Sequence, residues 1–227
     1  MTSDTVANVL QLISDLRGEA STNTNANRIR SVSRAEQDIA GRTFFRVHLL
    51  RDQSLGTGDG TTANFTIGST TFPMRPKGVA EVFVGGMTDD KRIPVIDYMA
   101  YKTTISRNSA EQVAYEWYDQ ANDLWKVHIN RAPSVGDAVT ASYFFMPPKR
   151  TLTSDTVICP SLLALARLAN GYIYEYDDEV QRSQLEKAEA EQLIADLLAV
   201  EHSPAVNQSY AMTAIENDGR TRGLGTY

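Results

Sequence analysis

The stretch Gly56-Thr57-Gly58-Asp59-Gly60-Thr61-Thr62-Ala63-Asn64-Phe65-Thr66-Ile67 sets three glycines within five residues and then runs into an alternating pattern. Glycines are crowded this way in a phosphate cradle, in a calcium loop, or at a hinge between two kinds of structure. A P-loop needs a lysine after its last glycine to reach the phosphates, and Thr61 stands there. A dinucleotide-binding turn lies between a strand and a helix, in that order; the flanks here predict helix, glycines, strand. A calcium loop needs several oxygen ligands at set spacing, whereas Asp59 is the one acid in the loop and Asp52 lies outside it. The favoured reading is the hinge: glycine reaches backbone angles that let a chain leave a helix and enter a strand.

Upstream of the hinge the pattern is helical. Val6, Val9, Leu10, Ile13 and Leu16 recur at helical spacing, with Thr2 or Ser3 as the candidate cap. Gly18 and Ser21-Thr22-Asn23-Thr24-Asn25 end that run. A second helix carries Ile29, Val32, Ala35 and Ile39, and Phe44 to Leu50 continue apolar with an ambiguous period.

Downstream, alternation takes over. Ala63/Phe65/Ile67, Tyr101/Thr103/Ile105, Val113/Tyr115/Trp117, Trp125/Val127/Ile129 and Val139/Ala141/Tyr143/Phe145 each place bulky residues on one face. Short strands with turn clusters between them predict an antiparallel β-sandwich or small barrel. Asn122-Asp123 reads as a hairpin turn.

From residue 150 the pattern is helical again. Pro160 suits a first helical position, and Leu162 to Ala169 is apolar on most sides, hence buried. A single helix over 160–201 would be about 63 Å long. Gly171 and Tyr176-Asp177-Asp178 are the places for a bend or break. The fold class is therefore α+β: a helical bundle formed by the two ends of the chain, an inserted antiparallel β module, and an extended C-terminal tail. The expected divisions are 1–51, 52–149, 150–202 and 203–227.

The composition narrows the function. Hydrophobic residues make up 42% of the 227, enough for a real core, and the net charge of −6 argues against a general nucleic-acid binder. The N-terminus lacks the pattern of a signal peptide, and no window reaches the roughly 18 apolar residues of a membrane span. Cys159, the one cysteine, precedes a helix start that can lower a thiol pKa; without a partner base it reads as a buried structural residue. His48, His128 and His202 show no convergence with carboxylates, and His128 falls on the face opposite Trp125 and Val127, toward solvent. Glu175, Asp177, Asp178 and Glu179 have the density of a cation site, but such runs are more often a solvated face or bend. Tyr172, Tyr174 and Tyr176 suit an interface or a core equally. No catalytic, cofactor-binding or metal residue is assigned.

Charge layout is more telling. Six arginines between Arg28 and Arg51 face two acids, whereas nine acids between Tyr174 and His202 face two basic residues. Sections of opposite sign on either side of a β module suggest that they meet, within a subunit or between neighbours. Arg30, Arg34, Glu186 and Glu189 are the candidate subunit-interface residues.

Three phrases carry a resemblance. Asp59-Gly60-Thr61-Thr62-Ala63-Asn64-Phe65-Thr66 is followed by Val82-Phe83-Val84-Gly85-Gly86, and later by Ala132-Pro133-Ser134-Val135-Gly136-Asp137-Ala138-Val139-Thr140-Ala141-Ser142-Tyr143. This succession resembles the small β-sandwich modules of tailed-phage virion proteins. The helical frame, with Cys159-Pro160 leading to Tyr172-Ile173-Tyr174-Glu175, resembles the head–tail connector proteins, the adaptor or head-completion family. The resemblance implies a structural protein of the virion neck, synthesised in the host cytoplasm. It implies a homo-oligomeric ring of about a dozen copies docked on the portal, with a further neck or tail protein below, genomic DNA passing through, and no membrane. GTGDG is then the exit into the inserted module and Pro147-Pro148 the return.

The tail, 203–227, lacks a helical stripe but keeps apolar anchors. Tyr210, Met212, Ile215, Arg220, Arg222, Leu224 and Tyr227 are the candidate portal-docking residues. Fully extended, it reaches about 80–90 Å. Two alternatives remain at this point. One is a tail-fibre or receptor-binding component that grips glycan through Trp117, Trp125 or Tyr98; exposed aromatics would favour it. The other is a hydrolase, for which no nucleophile–base pair is readable.

Overall fold

The computed structural model describes residues 4–69, 72–107 and 112–201. Among these are five α-helices and seven strands, a mixed α+β architecture. Two apolar clusters organise it, one helical and one built on strands.

The helical cluster draws on both ends of the chain. Helix α1 (Val6–Arg17) buries Val6, Val9, Leu10 and Ile13, and α2 (Ala26–Arg42) buries Ile29, Val32, Ala35 and Ile39. They pack with α4 (Leu162–Tyr176), whose Leu165, Leu168 and Ile173 are buried, and α5 (Val180–Glu201) adds Ala190 and Ile194. Each fully buried Val, Leu or Ile among them contributes about 1.5–3 kcal/mol on leaving water. The segment before α4 is laced to the start of α1: Val6 N–H donates to the Asp155 carbonyl at 2.9 Å and Val157 N–H to that of Asp4 at 3.0 Å.

The caps differ from expectation. Thr5, not Thr2 or Ser3, precedes the first turn of α1, where the Asn8 side chain reaches its N–H. At α4 the cap is Ser161, whose Oγ accepts from Ala164 N–H at 3.3 Å, so Pro160 lies just outside the helix. The break between α4 and α5 falls at Asp177–Glu179, with Asp178 at φ 61°. Gly171 is not a break. It lies inside α4, where a Cβ would come within 2.7 Å of Lys187 Cγ and 3.3 Å of the Ser183 carbonyl. It is the point of close approach between α4 and α5.

The strands form two antiparallel sheets. One has the order β1-β7-β3-β4, with β1 (Leu49–Thr57), β3 (Met74–Val84), β4 (Arg92–Ile93) and β7 (Ala138–Phe145). The other has the order β2-β6-β5, with β2 (Asn64–Ile67), β5 (Ala114–Asp119) and β6 (Leu124–Ile129). Phe65, Ile67, Val127 and Ile129 of the second sheet share an apolar cluster with Val82, Val139, Ala141 and Phe145 of the first. The β5–β6 turn contains Asn122-Asp123, with Asp123 at φ 54°.

Two readings of this region are corrected. Tyr101, Thr103 and Ile105 lie in helix α3 (Tyr98–Arg107), not in a strand. The Asp97 carboxylate accepts from Met99 N–H at 2.9 Å and Ala100 N–H at 3.0 Å, closing the first turn. Three alternating residues were too short a run to fix the period.

The glycine stretch does not leave a helix either. It follows β1, which starts at Leu49, so the order is strand, glycines, strand. Gly58 N–H donates to the Asp137 carbonyl at 2.7 Å, Gly60 N–H to Pro133 at 3.0 Å, and Gly136 N–H back to Gly58 at 3.0 Å. A Cβ on Gly58 would sit 2.4 Å from the Ser134 carbonyl, so glycine is required there by close backbone approach. Asp59 accepts from Thr61 N–H at 2.8 Å and the Thr62 hydroxyl at 2.6 Å, bonds that hold its carboxyl below the usual range. Its oxygens serve the turn.

Candidate assembly site

Three residues fasten the helices to the strands and to the segment that returns from them. Glu36 on α2 is fully buried and holds Arg150 by two hydrogen bonds of 2.7 Å. The same carboxylate accepts from Ile158 N–H at 2.6 Å, and Arg150 N–H donates to Ser33 Oγ at 2.9 Å. Such a paired, hydrogen-bonded carboxylate tolerates burial; alone it would not. Arg75 on β3 donates to the Gly41 carbonyl at 2.9 Å and to that of Thr43, placing a cation at the end of α2 where the helix dipole favours one. Its guanidinium lies 4.1 Å from the Phe44 ring centroid.

His48 completes the junction. It is fully buried, its Nε2 3.0 Å from the Ile158 carbonyl, between Phe45 and Phe145. That contact requires the proton on Nε2, which leaves Nδ1 without a partner. Burial, assisted by the Arg75 charge, holds its pKa below the ordinary histidine value. Cys159, half-buried nearby, has its thiol pushed up to about 12 by burial and the Glu36 charge, as suits an inert thiol. No part of this junction was assigned in the sequence.

The oppositely charged sections meet within the chain. Arg34 pairs with Glu175 at 3.7 Å and Arg42 with Glu191, and Arg17 of α1 adds a pair with Asp177 at 3.2 Å. Arg30 and Arg34 are both exposed on α2. They line a groove of about 630 Å³ that includes Tyr172 and Tyr176. The Arg34 guanidinium lies 4.0 Å over the Tyr172 ring. Glu186 and Glu189 are on α5, where both meet Arg167 of the same chain, Glu186 at 3.0 Å. Arg30 and Arg34 are thus brought together, and Glu186 and Glu189 form a separate group.

The acidic run is occupied locally. Glu175 pairs with Lys187 at 3.0 Å and Glu179 with Arg182 at 2.8 Å. Among the described residues no group of three or more His, Cys, Asp or Glu is placed to hold a metal ion. Tyr172 and Tyr174 are buried, whereas Tyr176 is exposed. The Tyr172 hydroxyl donates to Asp38, and burial followed by that bond pushes its pKa up to about 12.

His128 is half-buried rather than solvent-facing: Tyr101 and Tyr115 lie 5.6 and 5.2 Å away, ring to ring, and burial lowers its pKa. The misplaced α3 hid this contact. Of the aromatics considered for glycan, Trp117 and Trp125 are half-buried and Tyr98 alone is exposed. His202 and all seven tail residues from Tyr210 to Tyr227 lie outside the described residues. Among the described residues no helix is long and apolar enough to cross a membrane.

The model of the SU10 adaptor protein family matches residues 5–213. The chain therefore belongs to this family of phage head–tail adaptors, as the helical frame and β phrases led us to expect. No curated protein matches it.

Proposed function

We propose that this phage adaptor forms a ring that docks on the portal and joins head to tail around the DNA channel. The observation that carries the reading is the extent of the family match. Residues 5–213 take in both helical ends and every strand between them, so the β unit is covered by the adaptor pattern together with the helices. The shared helical core and the two-sheet cluster support an N- and C-terminal helical bundle with an inserted β-sandwich. We divide the chain accordingly into helical segments 1–51 and 150–202, a β domain 52–149 and a tail 203–227.

The ring has about a dozen copies by resemblance and sits in the virion neck, with the portal on one side and a further neck or tail protein on the other. Its net charge of −6 suits a wall along which DNA slides without sticking. The role needs no catalysis, cofactor or metal. The tail acts as the strap onto the portal, through Tyr210, Met212, Ile215, Arg220, Arg222, Leu224 and Tyr227. Deleting residues 204–227 should leave the circular dichroism spectrum of the folded core intact and abolish attachment to filled heads. A normal yield of infectious particles from the truncated protein contradicts the strap.

A further inference from the structure

We propose that the outward face of α5 receives the next copy of the chain in the ring, through that copy's α2. The proposal rests on the ring reading and adds which surfaces make it.

Helix α5 has two seams. Ser183, Ala190 and Ile194 are buried toward the rest of the core. On the other side, Gln181, Leu185, Ala188, Gln192, Ala195 and Ala199 follow at alternating steps of four and three. All six are exposed and none is charged. Leu185 is 60% exposed. A helix facing only water carries its charges outward. That is the pattern on α2, which exposes Arg30, Arg34 and Arg42. On α5 the acids are displaced to the margins of the bare stripe. A repeat averaging 3.5 residues is the spacing of a helix–helix seam, and its alanines permit close approach. Over residues 181–199 the seam is about 27 Å long.

Charge selects the occupant. Asp196 and Glu189, the latter already meeting Arg167 of its own chain, are seven residues apart and so share one margin of the stripe. Asp196 accepts from Gln192 Nε2 at 2.9 Å and forms no ion pair among the described residues. Arg30 on α2 likewise forms none there, and Arg34 has one exposed ion pair, with Glu175, beside its stacking on Tyr172. A second copy therefore presents arginines to an acidic margin. The two faces differ, so the contact repeats head to tail, which is the kind of contact a ring requires. A stripe that paired with its own copy would stop at a dimer.

The test uses assembled particles carrying Cys159→Ser with Ser31→Cys and Ala195→Cys. Mild oxidation should give a ladder of this chain beyond the dimer on a non-reducing gel, and neither single cysteine should give one. Normal particles with no ladder overturn the proposal, as does a dimer from Ala195→Cys alone, which would mean α5 against α5. Independently, Arg30→Glu and Asp196→Arg should each lower infectious titre at least tenfold with an unchanged melting temperature, and the combination should restore it. Full titre in both single variants overturns the charge pairing. The ring reading fails separately: one copy of the chain per particle by quantitative mass spectrometry contradicts it whatever the cysteines show.

Discussion

In the helical core, residues 6–39 pack against residues 164–194, so one apolar cluster must wait for the two ends of the chain to meet. In the β unit, β5 pairs with β6 across a short turn, and both sheets are filled by residues between 65 and 145. The helical core closes with charge as well as burial, as in Arg17–Asp177 and Arg42–Glu191. The β unit leans on aromatic contacts such as Phe72–Phe145 and Tyr118–Trp125, with ring centroids 5.0 and 5.2 Å apart. The difference shows which region depends on the other. A core made from distant ends needs a fixed spacer, and the β unit, locked at Glu36, Arg75 and His48, supplies it.

The largest effect should come from breaking that lock. Glu36→Ala leaves Arg150 and the Ile158 N–H without their partner, a loss of about 3–5 kcal/mol. Denaturant unfolding followed by far-UV and tryptophan signals should then separate into two transitions. Coincident curves at unchanged midpoint would mean that the lock contributes nothing.

Cavities come next. Leu165→Ala and Ile129→Ala each remove a fully buried side chain, one from each core, at a cost of about 2–5 kcal/mol. The comparison predicts that Ile129→Ala weakens both regions, whereas Leu165→Ala leaves the tryptophan transition of the β unit near its original midpoint. Equal shifts of both transitions in both variants would break the asymmetry.

The junction histidine gives a smaller, pH-dependent effect. His48 has a folded pKa below its ordinary value near 6.5. The unfolded chain therefore binds a proton that the folded chain refuses, and stability falls as pH drops from 6.5 toward the folded pKa. Half-buried His128 acts in the same direction. Glu19, lowered to about 2 mainly by its hydrogen bond from Arg28, loses its contribution only below about 4.5, outside this window. His48→Gln should flatten the fall in melting temperature between pH 7.5 and 5.5. An unchanged slope would put the titration elsewhere.

The smallest effect is expected at Arg34–Glu175, an exposed pair at 3.7 Å, worth about 0–1 kcal/mol. Arg34→Ala should hardly move the midpoint of the isolated protein. A large shift would place Arg34 inside the core's own closure rather than on an assembly face.

What the sequence made legible follows the same divide. Helical periodicity located α1 and α2 because each stripe repeats over several turns, the apolar run from Leu162 to Ala169 located α4, and the pairing of the charged sections followed from their sign. Alternation located β7 over four residues and β2, β5 and β6 over three each. Tyr101/Thr103/Ile105 misled because three residues fit either period, and only the Asp97 cap decides it. Glu36 was counted merely as an acid offsetting arginines. Its role depends on Arg150, 114 residues away, a distance that no local pattern bridges.

Electron cryo-microscopy of the neck in intact particles tests the central claim most directly. The account predicts a ring of this chain between portal and tail, with α5 of each copy against α2 of the next and residues 204–227 running onto the portal. The same fold found at a tail fibre, or in the neck without contact between copies, would contradict it.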